Sequence, residues 1–190
     1  MTADRQSISQ IHGATITNTP IGTIRIWTGS SGIKKLGLEQ GSFQLSDTPN
    51  LTDNKVIREA TRQLKQYFSG ELRQFDLPLD LSGCTKFQLR VFEQLQNIPY
   101  GHLVAYKDIA HAIGQPEASR SIGQALKANP IPVILPCHRV IRSDGTLGGY
   151  AGSSADNLQK KTILLQIEGF DPMGNTAKDT TQDEILSFSL

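Results

Sequence analysis

The chain has 190 residues, of which 37% are hydrophobic and 19% are charged, and its formal net charge is +1. This length allows one large domain or two small ones, and no apolar run approaches the ~20 residues that a membrane-spanning helix needs. The near-neutral charge argues against attraction of the whole molecule to nucleic acid, although it leaves room for a local basic patch.

The first part of the chain combines short strands with one helix. From Ala14 to Glu39, short runs of alternating apolar and polar residues are separated by turn residues, which is typical of a small antiparallel sheet. The run "KVIREATRQLKQYFSG" then predicts a helix that ends at Gly70. Its predicted apolar face comprises Val56, Ile57, Ala60, Leu64, Tyr67 and Phe68. Residues 72–83, "LRQFDLPLDLSG", are predicted to be an extended linker.

Helix signals dominate the second part of the chain. Thr85 and Gln88 form a capping-box pattern, which predicts the start of a helix. The runs "AYKDIAHAIG" and "QPEASRSIGQALKANP" predict two short helices joined by "GQP", a helix-turn-helix candidate. Many helical hairpins touch no DNA, however, and the small residues of the second helix fit close packing against a neighbouring helix equally well.

The remaining elements surround a cysteine. Residues 129–136 contain three prolines, which predict an extended run leading to Cys137. Asp144-Gly145 signals a tight turn. The last predicted helix, "LQKKTILLQIEG", is expected to face the core with Leu158, Ile163, Leu164 and Ile167.

Cys137 lies directly before His138 and could be inert core, a metal ligand or a nucleophile. The histidines of the sequence do not form zinc spacing with it, and Cys84 is interpreted as structural. A nucleophile needs a base, which His138 could supply, and a carboxylate that orients this base, for which Glu168 is the candidate. From the residues alone, a buried inert cysteine is the commoner outcome.

The stretch from 118 to 143 has the clearest charge asymmetry of the chain. It contains no Asp or Glu, but it includes Arg120, Lys127, Arg139 and Arg142. Charge alone favours a solvated basic face over a nucleic-acid site.

The motifs together resemble a known family. "PCHRVI", preceded by "NPIPVIL" and followed by "GGYAG", resembles the O6-alkylguanine-DNA alkyltransferases, the methylated-DNA–protein-cysteine methyltransferases. "TKFQLRVFEQLQNIPYG", "VAYKDIAHAIG", "SRSIGQALKANP" and "LLQIEG" are similar to further segments of this family. The resemblance extends from about residue 64 to residue 169, and more weakly back to residue 23.

The resemblance implies a two-part fold. Residues 1–82 would form an α/β N-terminal domain, with a small antiparallel sheet plus a helix in a ribonuclease H-like arrangement. Residues 83–170 would form a mostly helical C-terminal domain with a helix-turn-helix that binds DNA and carries out alkyl transfer. Residues 171–190 lack clear periodicity and are expected to be a flexible tail.

The resemblance also implies a mechanism. Cys137 would take an alkyl group from O6 of guanine, His138 would accept the thiol proton through a water, and Glu168 would hold the histidine. Asn129 would brace the active-site turn, and Tyr106 would donate a proton or a hydrogen bond to the leaving guanine. The implied substrate-binding residues are Val140, Tyr150, Ala151 and Leu126. The thioether would not be reversed, so one molecule would act once, without cofactor or metal.

The implied partner is double-stranded DNA containing O6-alkylguanine, with O4-alkylthymine left open. The damaged nucleotide would be flipped out of the duplex, and the second helix of the helix-turn-helix would enter the minor groove. Arg120 would fill the vacated stack, and Ser121, Gly123 and Ala125 would be small enough for the groove. Further DNA contacts are expected from Gln88, Lys107, Gln115 and Ser143. The chain is expected to be a monomer, in the cytoplasm or in a eukaryotic nucleus, with no membrane partner.

Three other functions compete with this interpretation. A non-catalytic alkyltransferase-like DNA-binding protein is disfavoured because that group replaces the cysteine, which this chain retains. A papain-like Cys–His hydrolase would turn over repeatedly. A helix-turn-helix regulator would prefer one DNA sequence and tolerate the loss of Cys137.

Overall fold

The structure is a computed structural model that describes residues 13–39, 54–150 and 154–170. The predicted tail, residues 171–190, and the predicted pocket residue Ala151 lie outside these ranges. Within them, no helix has the length and apolar character needed to cross a bilayer.

A three-stranded antiparallel sheet forms the first layer. Its strands are β1 (Gly13–Thr19), β2 (Gly22–Thr28) and β3 (Ile33–Glu39), paired in the order β1-β2-β3. Ile24 and Ile26 of β2 are fully buried, and their register partners include Ile16 and Leu36. The alternation of apolar and polar residues therefore predicted the buried face of this sheet correctly, because successive strand side chains point to opposite faces.

Helix α1 (Lys55–Phe68) packs against β1 and β2. The Asn54 side chain caps its first turn by accepting hydrogen bonds from the Val56 and Ile57 backbone amides. The helix ends before Gly70, whose φ of 78° lies in the left-handed region that favours glycine. The predicted apolar face is confirmed, since Ile57, Ala60, Leu64 and Tyr67 are buried.

Strand β3 connects the sheet to two other segments. The Ile33 amide donates to the Pro78 carbonyl over 2.8 Å, and the Asp80 amide donates back to Ile33 over 2.8 Å, so the predicted linker lies along β3. The Leu36 amide donates to the Pro130 carbonyl, also over 2.8 Å. The sheet is thereby fixed to the segment that leads to Cys137.

The second part is mostly helical. It contains α2 (Lys86–Gln96), with the predicted Thr85–Gln88 capping box, and then α3 (Tyr106–Ala112) and α4 (Ser119–Lys127). Helices α3 and α4 pack together as the expected helix-turn-helix. Their connection is longer than the predicted "GQP", because turns continue to Ala118 before α4 starts.

Residues 129–136 are not extended, contrary to the prediction. The side chain of Asn129 folds the chain back on itself: its Oδ1 accepts from the Ile131 amide over 3.0 Å, and its Nδ2 donates to the Leu135 carbonyl over 2.9 Å. Val133 has a φ of 77°, which is rare for a β-branched residue. The prolines restrict the chain here, and the turn is closed by the Asn129 side chain together with a bond from the Leu135 amide to the Ile131 carbonyl over 2.9 Å.

A short parallel pair and a last helix complete the fold. Strand β4 (Val104–Ala105) pairs with β5 (Val140–Ile141), and α5 (Ala155–Ile167) follows. The predicted core position of Leu158 is wrong, since this side chain is 41% exposed. The other three predicted positions are confirmed, since Leu164 is fully buried and Ile163 and Ile167 pack against the core. The buried side of this segment also includes the charged residues Lys160, Lys161 and Glu168, which the apolar pattern did not indicate.

Candidate active site

Cys137 begins a single 3-10 turn, Cys137–Arg139, directly after Pro136. Its backbone amide donates to the Leu135 carbonyl over 2.8 Å, and the Arg139 amide donates to Pro136 over 3.0 Å. Adjacent side chains in such a turn diverge by about 120° because it has three residues per turn. Cys137 lines a cavity, whereas His138 contacts Glu168 in the interior.

The cavity has a volume of about 560 Å³, enough for a base-sized ligand. Cys137 is only 4% exposed, so most of the surface around its sulfur is protein. The predicted residues Tyr106, Leu126 and Tyr150 also line this cavity. The sulfur is thus buried but adjoins an open space, unlike that of an inert core cysteine.

Asn129 contacts the cysteine directly. Its Nδ2 lies 3.2 Å from Cys137 Sγ, in addition to donating to the Leu135 carbonyl. An amide N–H favours the charged form of a sulfur that it faces. Asn129 therefore acts on the cysteine in two ways: it shapes the turn that carries Cys137, and its amide favours the charged form of the sulfur.

Glu168 is the C-terminal cap residue of α5 and is buried. Its Oε1 accepts from His138 Nε2 over 2.8 Å, and Arg139 donates from Nε to Oε2 and from its terminal nitrogen to Oε1, both over 2.9 Å. The Gly101 amide adds a bond to Oε2 over 3.0 Å. Since the carboxylate accepts the Nε2 proton of His138, Nδ1 is the nitrogen that retains a lone pair. That Nδ1 atom is buried and bonds to no protein group in the described ranges.

Arg139 and Tyr67 belong to this cluster, although the sequence assigned neither to the site. The Tyr67 hydroxyl donates to Glu168 Oε1 over 2.7 Å and lies 3.3 Å from His138 Nε2. Arg139 is buried and also donates to the Ile98 carbonyl over 2.5 Å. The available sequence signal was weak: Arg139 was one of four basic residues in an acid-free stretch, and Tyr67 was an aromatic residue on a predicted core face.

Lys161 is a further buried cation near Cys137. Its ammonium group donates to the carbonyl oxygens of Val140, over 2.5 Å, and Leu147. Burial lowers the pKa of Lys161 to about 8, while the charge of Cys137 opposes this shift. The carbonyl of Val140, one of the predicted substrate-binding residues, therefore already accepts a bond from Lys161, and the role of Val140 toward the base stays a prediction.

Three pKa shifts describe the resting site. Burial raises the pKa of Cys137 to about 11, although the Asn129 hydrogen bond and the Lys161 charge oppose it. Burial lowers the pKa of His138, which outweighs the attraction of Glu168. Burial alone would raise the pKa of Glu168, but hydrogen bonds and charge from His138 and Arg139 hold it well below its usual range. At neutral pH the site therefore contains a thiol, a neutral imidazole and a carboxylate.

Tyr106 approaches the cavity from the start of α3 and is packed closely against Gly148. A Cβ at Gly148 would lie 3.1 Å from the Tyr106 hydroxyl oxygen, and the φ of Gly148 is 64°. Burial raises the pKa of Tyr106, and the charge of Cys137 adds to the shift. The phenol therefore remains protonated and can donate a hydrogen bond into the cavity.

One face of α4 lines the mouth of the cavity. This face comprises Arg120, Gly123, Gln124 and Lys127, at helical spacings of three and four residues. Lys107 and Ser143, both predicted DNA contacts, lie at the same cavity and are exposed. Ser119, Arg142 and Gly149 complete this rim and were not predicted as site residues.

Some predicted DNA contacts are not on this surface. Ala125 is 4% exposed and faces the core, because positions 121, 123 and 125 cannot share one helical face. Ser121 is exposed outside the cavity lining. Gln88 is half-buried and its side chain closes the capping box of α2, while Gln115 lies in the exposed turn before α4. The minor-groove role predicted for Ala125 stays a prediction, and the buried side chain already packs in the core.

The fold and the site together have the form of the alkyltransferase class that the sequence motifs resemble. Residues 14–81 match the family described as 6-O-methylguanine DNA methyltransferase, ribonuclease-like domain, and residues 86–170 match the DNA binding domain of the same name. The chain belongs to the 6-O-methylguanine DNA methyltransferase family. The predicted family and the predicted two-part fold are confirmed.

Individual relatives are similar over most of their length. The methylated-DNA–protein-cysteine methyltransferase of Methanosarcina barkeri is 45% identical over 154 residues, which is 80% of this chain and 94% of the relative. The constitutive enzyme of that name from Bacillus subtilis is 42% identical, covering 81% and 93%. The crystal structure of Mycobacterium tuberculosis OGT in complex with DNA superposes with a TM-score of 0.70 at 39% identity, covering 83% of this chain and 92% of that one.

Proposed function

We propose that this protein repairs DNA by direct damage reversal, transferring the alkyl group of O6-alkylguanine irreversibly to Cys137. The observation that carries the proposal is a cysteine sulfur at the wall of a 560 Å³ cavity, with a His138–Glu168 pair in the interior behind it. The names of the relatives, methylated-DNA–protein-cysteine methyltransferases, support the same reaction.

Cys137 becomes a nucleophile only when its proton leaves. The neutral His138 accepts this proton at Nδ1 through a bridging water, while Glu168 stabilises the imidazolium that forms. The sulfur then attacks the alkyl carbon, the carbon–O6 bond breaks, and its electron pair goes to the guanine. A thioether has no easy leaving path, so the thiol is not regenerated and each chain reacts once.

Guanine leaves readily only if its developing negative charge meets a hydrogen-bond donor. The Tyr106 hydroxyl, which lines the same cavity as Cys137, is the proposed donor. Tyr150 and Leu126 form walls against the flat faces of the base, and both are buried residues at the cavity.

The basic rim of the cavity is the proposed DNA interface. Lys107, Lys127 and Arg142 are exposed around the cavity mouth, where they can neutralise phosphates. Arg120, also exposed on α4, is proposed to fill the stack that the flipped nucleotide leaves. Ser121, Gln88, Gln115 and Ser143 remain proposed contacts to the backbone or groove. The protein is proposed to act as a monomer in the cytoplasm, on O6-alkylguanine and, as an open alternative, on O4-alkylthymine.

The experiment that tests the proposal is intact-mass measurement after incubation with a duplex containing O6-methylguanine. A mass gain of one methyl group, mapped to Cys137, is expected. Cys137→Ser is the control and should gain no mass while still binding the duplex. Binding without a mass change in the unaltered protein would instead indicate a damage sensor, and the proposal would be wrong.

A further inference from the structure

Tyr67 is a residue of the N-terminal part that reaches the His138–Glu168 pair. It lies in the last turn of α1, and its side chain is fully buried. Its hydroxyl donates to Glu168 Oε1 over 2.7 Å, although the two residues are 101 positions apart in the chain. The contact therefore exists only when the sheet-bearing part and the helical part are packed together.

We propose that Tyr67 is a positioning residue for alkyl transfer, which orients the Glu168 carboxylate and keeps His138 neutral with Nδ1 free. This inference rests on the proposed function and extends it, because it gives the N-terminal part a direct role in the chemistry of Cys137. Tyr67 acts through Glu168 and His138 and does not line the substrate cavity.

The hydrogen bonds of Glu168 show what the Tyr67 hydroxyl contributes. Oε2 is held by the Gly101 amide and by Arg139, while Oε1 accepts from Arg139, His138 and Tyr67. Each donor to Oε1 withdraws negative charge from the oxygen that faces the imidazole. Without the hydroxyl, this oxygen would attract an imidazolium more strongly, and the carboxylate would lose one of the bonds that fix its plane.

The charged groups around His138 act in opposite directions. Arg139 and Lys161 disfavour the imidazolium, as burial does, whereas Glu168 favours it. Tyr67 reduces the effect of Glu168 by sharing its charge, so it contributes to keeping His138 in the neutral form that can accept a proton. Loss of the hydroxyl should shift the proton equilibrium of His138 toward the charged form.

If Tyr67 acts only through the packing of its ring, its hydroxyl should not affect methyl transfer. Its ring packs against Phe68, Phe75 and Tyr100, with centroid distances of 5.5, 5.2 and 6.2 Å. A phenylalanine would keep these ring contacts and remove only the hydroxyl. Tyr67→Phe therefore separates the polar contact from the packing.

Tyr100→Phe is the matched control. Tyr100 belongs to the same aromatic cluster, but its hydroxyl donates to the Ile167 carbonyl over 2.6 Å and bonds to neither Glu168 nor His138. Both variants lose one hydroxyl and keep the ring, so their losses of thermal stability can be compared directly. Only the Tyr67 variant should change the ionisation of His138.

The experiment measures single-turnover methyl transfer from an O6-methylguanine duplex between pH 5 and 8, together with the His138 pKa by NMR. For Tyr67→Phe we expect a transfer rate lowered roughly threefold to thirtyfold. The His138 pKa should rise, and the fall of the transfer rate on acidification should begin at a higher pH. Tyr100→Phe should keep the wild-type pH profile. A Tyr67→Phe protein with the wild-type rate, pH profile and His138 pKa would overturn the inference.

NMR measurements separate a failure of the proposed function from a failure of this inference. If the unaltered protein transfers no methyl group, the proposed function fails, whereas the NMR titration still reports on the Tyr67 contact. If Tyr67→Phe does not fold, the unaltered protein is examined instead. Its Tyr67 hydroxyl proton should exchange slowly and show a nuclear Overhauser contact to the His138 ring. A rapidly exchanging hydroxyl without this contact would contradict the inference.

Discussion

Glu168 is ionised in the protein interior because it accepts five hydrogen bonds from groups in the described ranges, two of them from a guanidinium. A buried carboxylate without partners would instead take up a proton. Arg139 supplies the compensating charge, so His138 need not be charged to balance Glu168. The histidine is therefore free to serve as the base for Cys137.

This arrangement predicts the pH dependence of transfer. His138 must be neutral to accept the thiol proton, and burial lowers its pKa below the ordinary value of about 6.5. We expect the single-turnover rate to stay constant from pH 7.5 down to below pH 6.5 and to fall only at more acidic pH. The measurement is the transfer rate across this range, with DNA binding followed in parallel to separate loss of binding from loss of chemistry. A transfer rate that already falls to half its maximum above pH 7 would show that the histidine is not held neutral.

The sequence predicted part of this site and missed the rest for a physical reason. The family motifs identified Cys137, His138 and Glu168. The contact of Tyr67 with Glu168 spans 101 positions and depends on how two separately patterned parts pack, which local periodicity does not encode. Lys161 was missed because a lysine in a helix is normally expected on the solvent side.

Helix α4 has a buried face and an exposed face. Ile122, Ala125 and Leu126 are buried, whereas Arg120 and Lys127 are exposed at the cavity. The helical period explains why Ala125 faces the core although Gly123 lines the cavity. The helices themselves could be predicted from periodicity and caps. The turn at 129–136 could not be predicted in this way, because it depends on specific hydrogen bonds of the Asn129 side chain and of the backbone.

Arg120→Ala tests the proposed role of this helix in base flipping. If Arg120 fills the vacated stack, its loss should slow transfer from a duplex roughly tenfold or more, since flipping costs a few kcal/mol. A single strand with the same lesion needs no extrusion, so its transfer rate should change much less. The measurement is the ratio of the two single-turnover rates.

Lys127→Ala is the matched control on the same helix face. Removing one phosphate contact should weaken binding to both substrates and reduce the salt slope of duplex binding by about 1. It should leave the ratio of duplex and single-strand transfer rates unchanged. An equal loss on both substrates for Arg120→Ala would indicate that Arg120 is only another phosphate contact.

The two parts of the protein share one hydrophobic core and are joined by hydrogen bonds. Buried residues from the sheet, from α1 and from the helical part form a single cluster. Between the two parts, the Leu36 amide of β3 donates to the Pro130 carbonyl, and the Tyr67 hydroxyl donates to Glu168. The geometry of the site should therefore depend on the fold of the complete chain.

Acid stability should reflect the buried ionisable groups. The unfolded chain binds a proton on His138 near pH 6.5, while the folded protein does so only at lower pH, so stability should decline below about pH 6.5. The lowered pKa of Glu168 contributes stability that is present above about pH 4.3 and is lost as the pH falls further. Urea unfolding from pH 7 to about pH 2.5 should show a steady decrease in the free energy of unfolding. Glu168→Gln should flatten the most acidic part of this curve, and a stability that rises on acidification would contradict the prediction.

The most direct test of irreversible transfer to Cys137 is a titration of O6-methylguanine duplex against a fixed amount of protein. Repaired guanine and S-methylcysteine at position 137 should rise together and reach a plateau at one per chain, with no further repair on longer incubation. Repair that continues beyond one lesion per chain, or that proceeds without methylation of Cys137, would contradict the proposed mechanism.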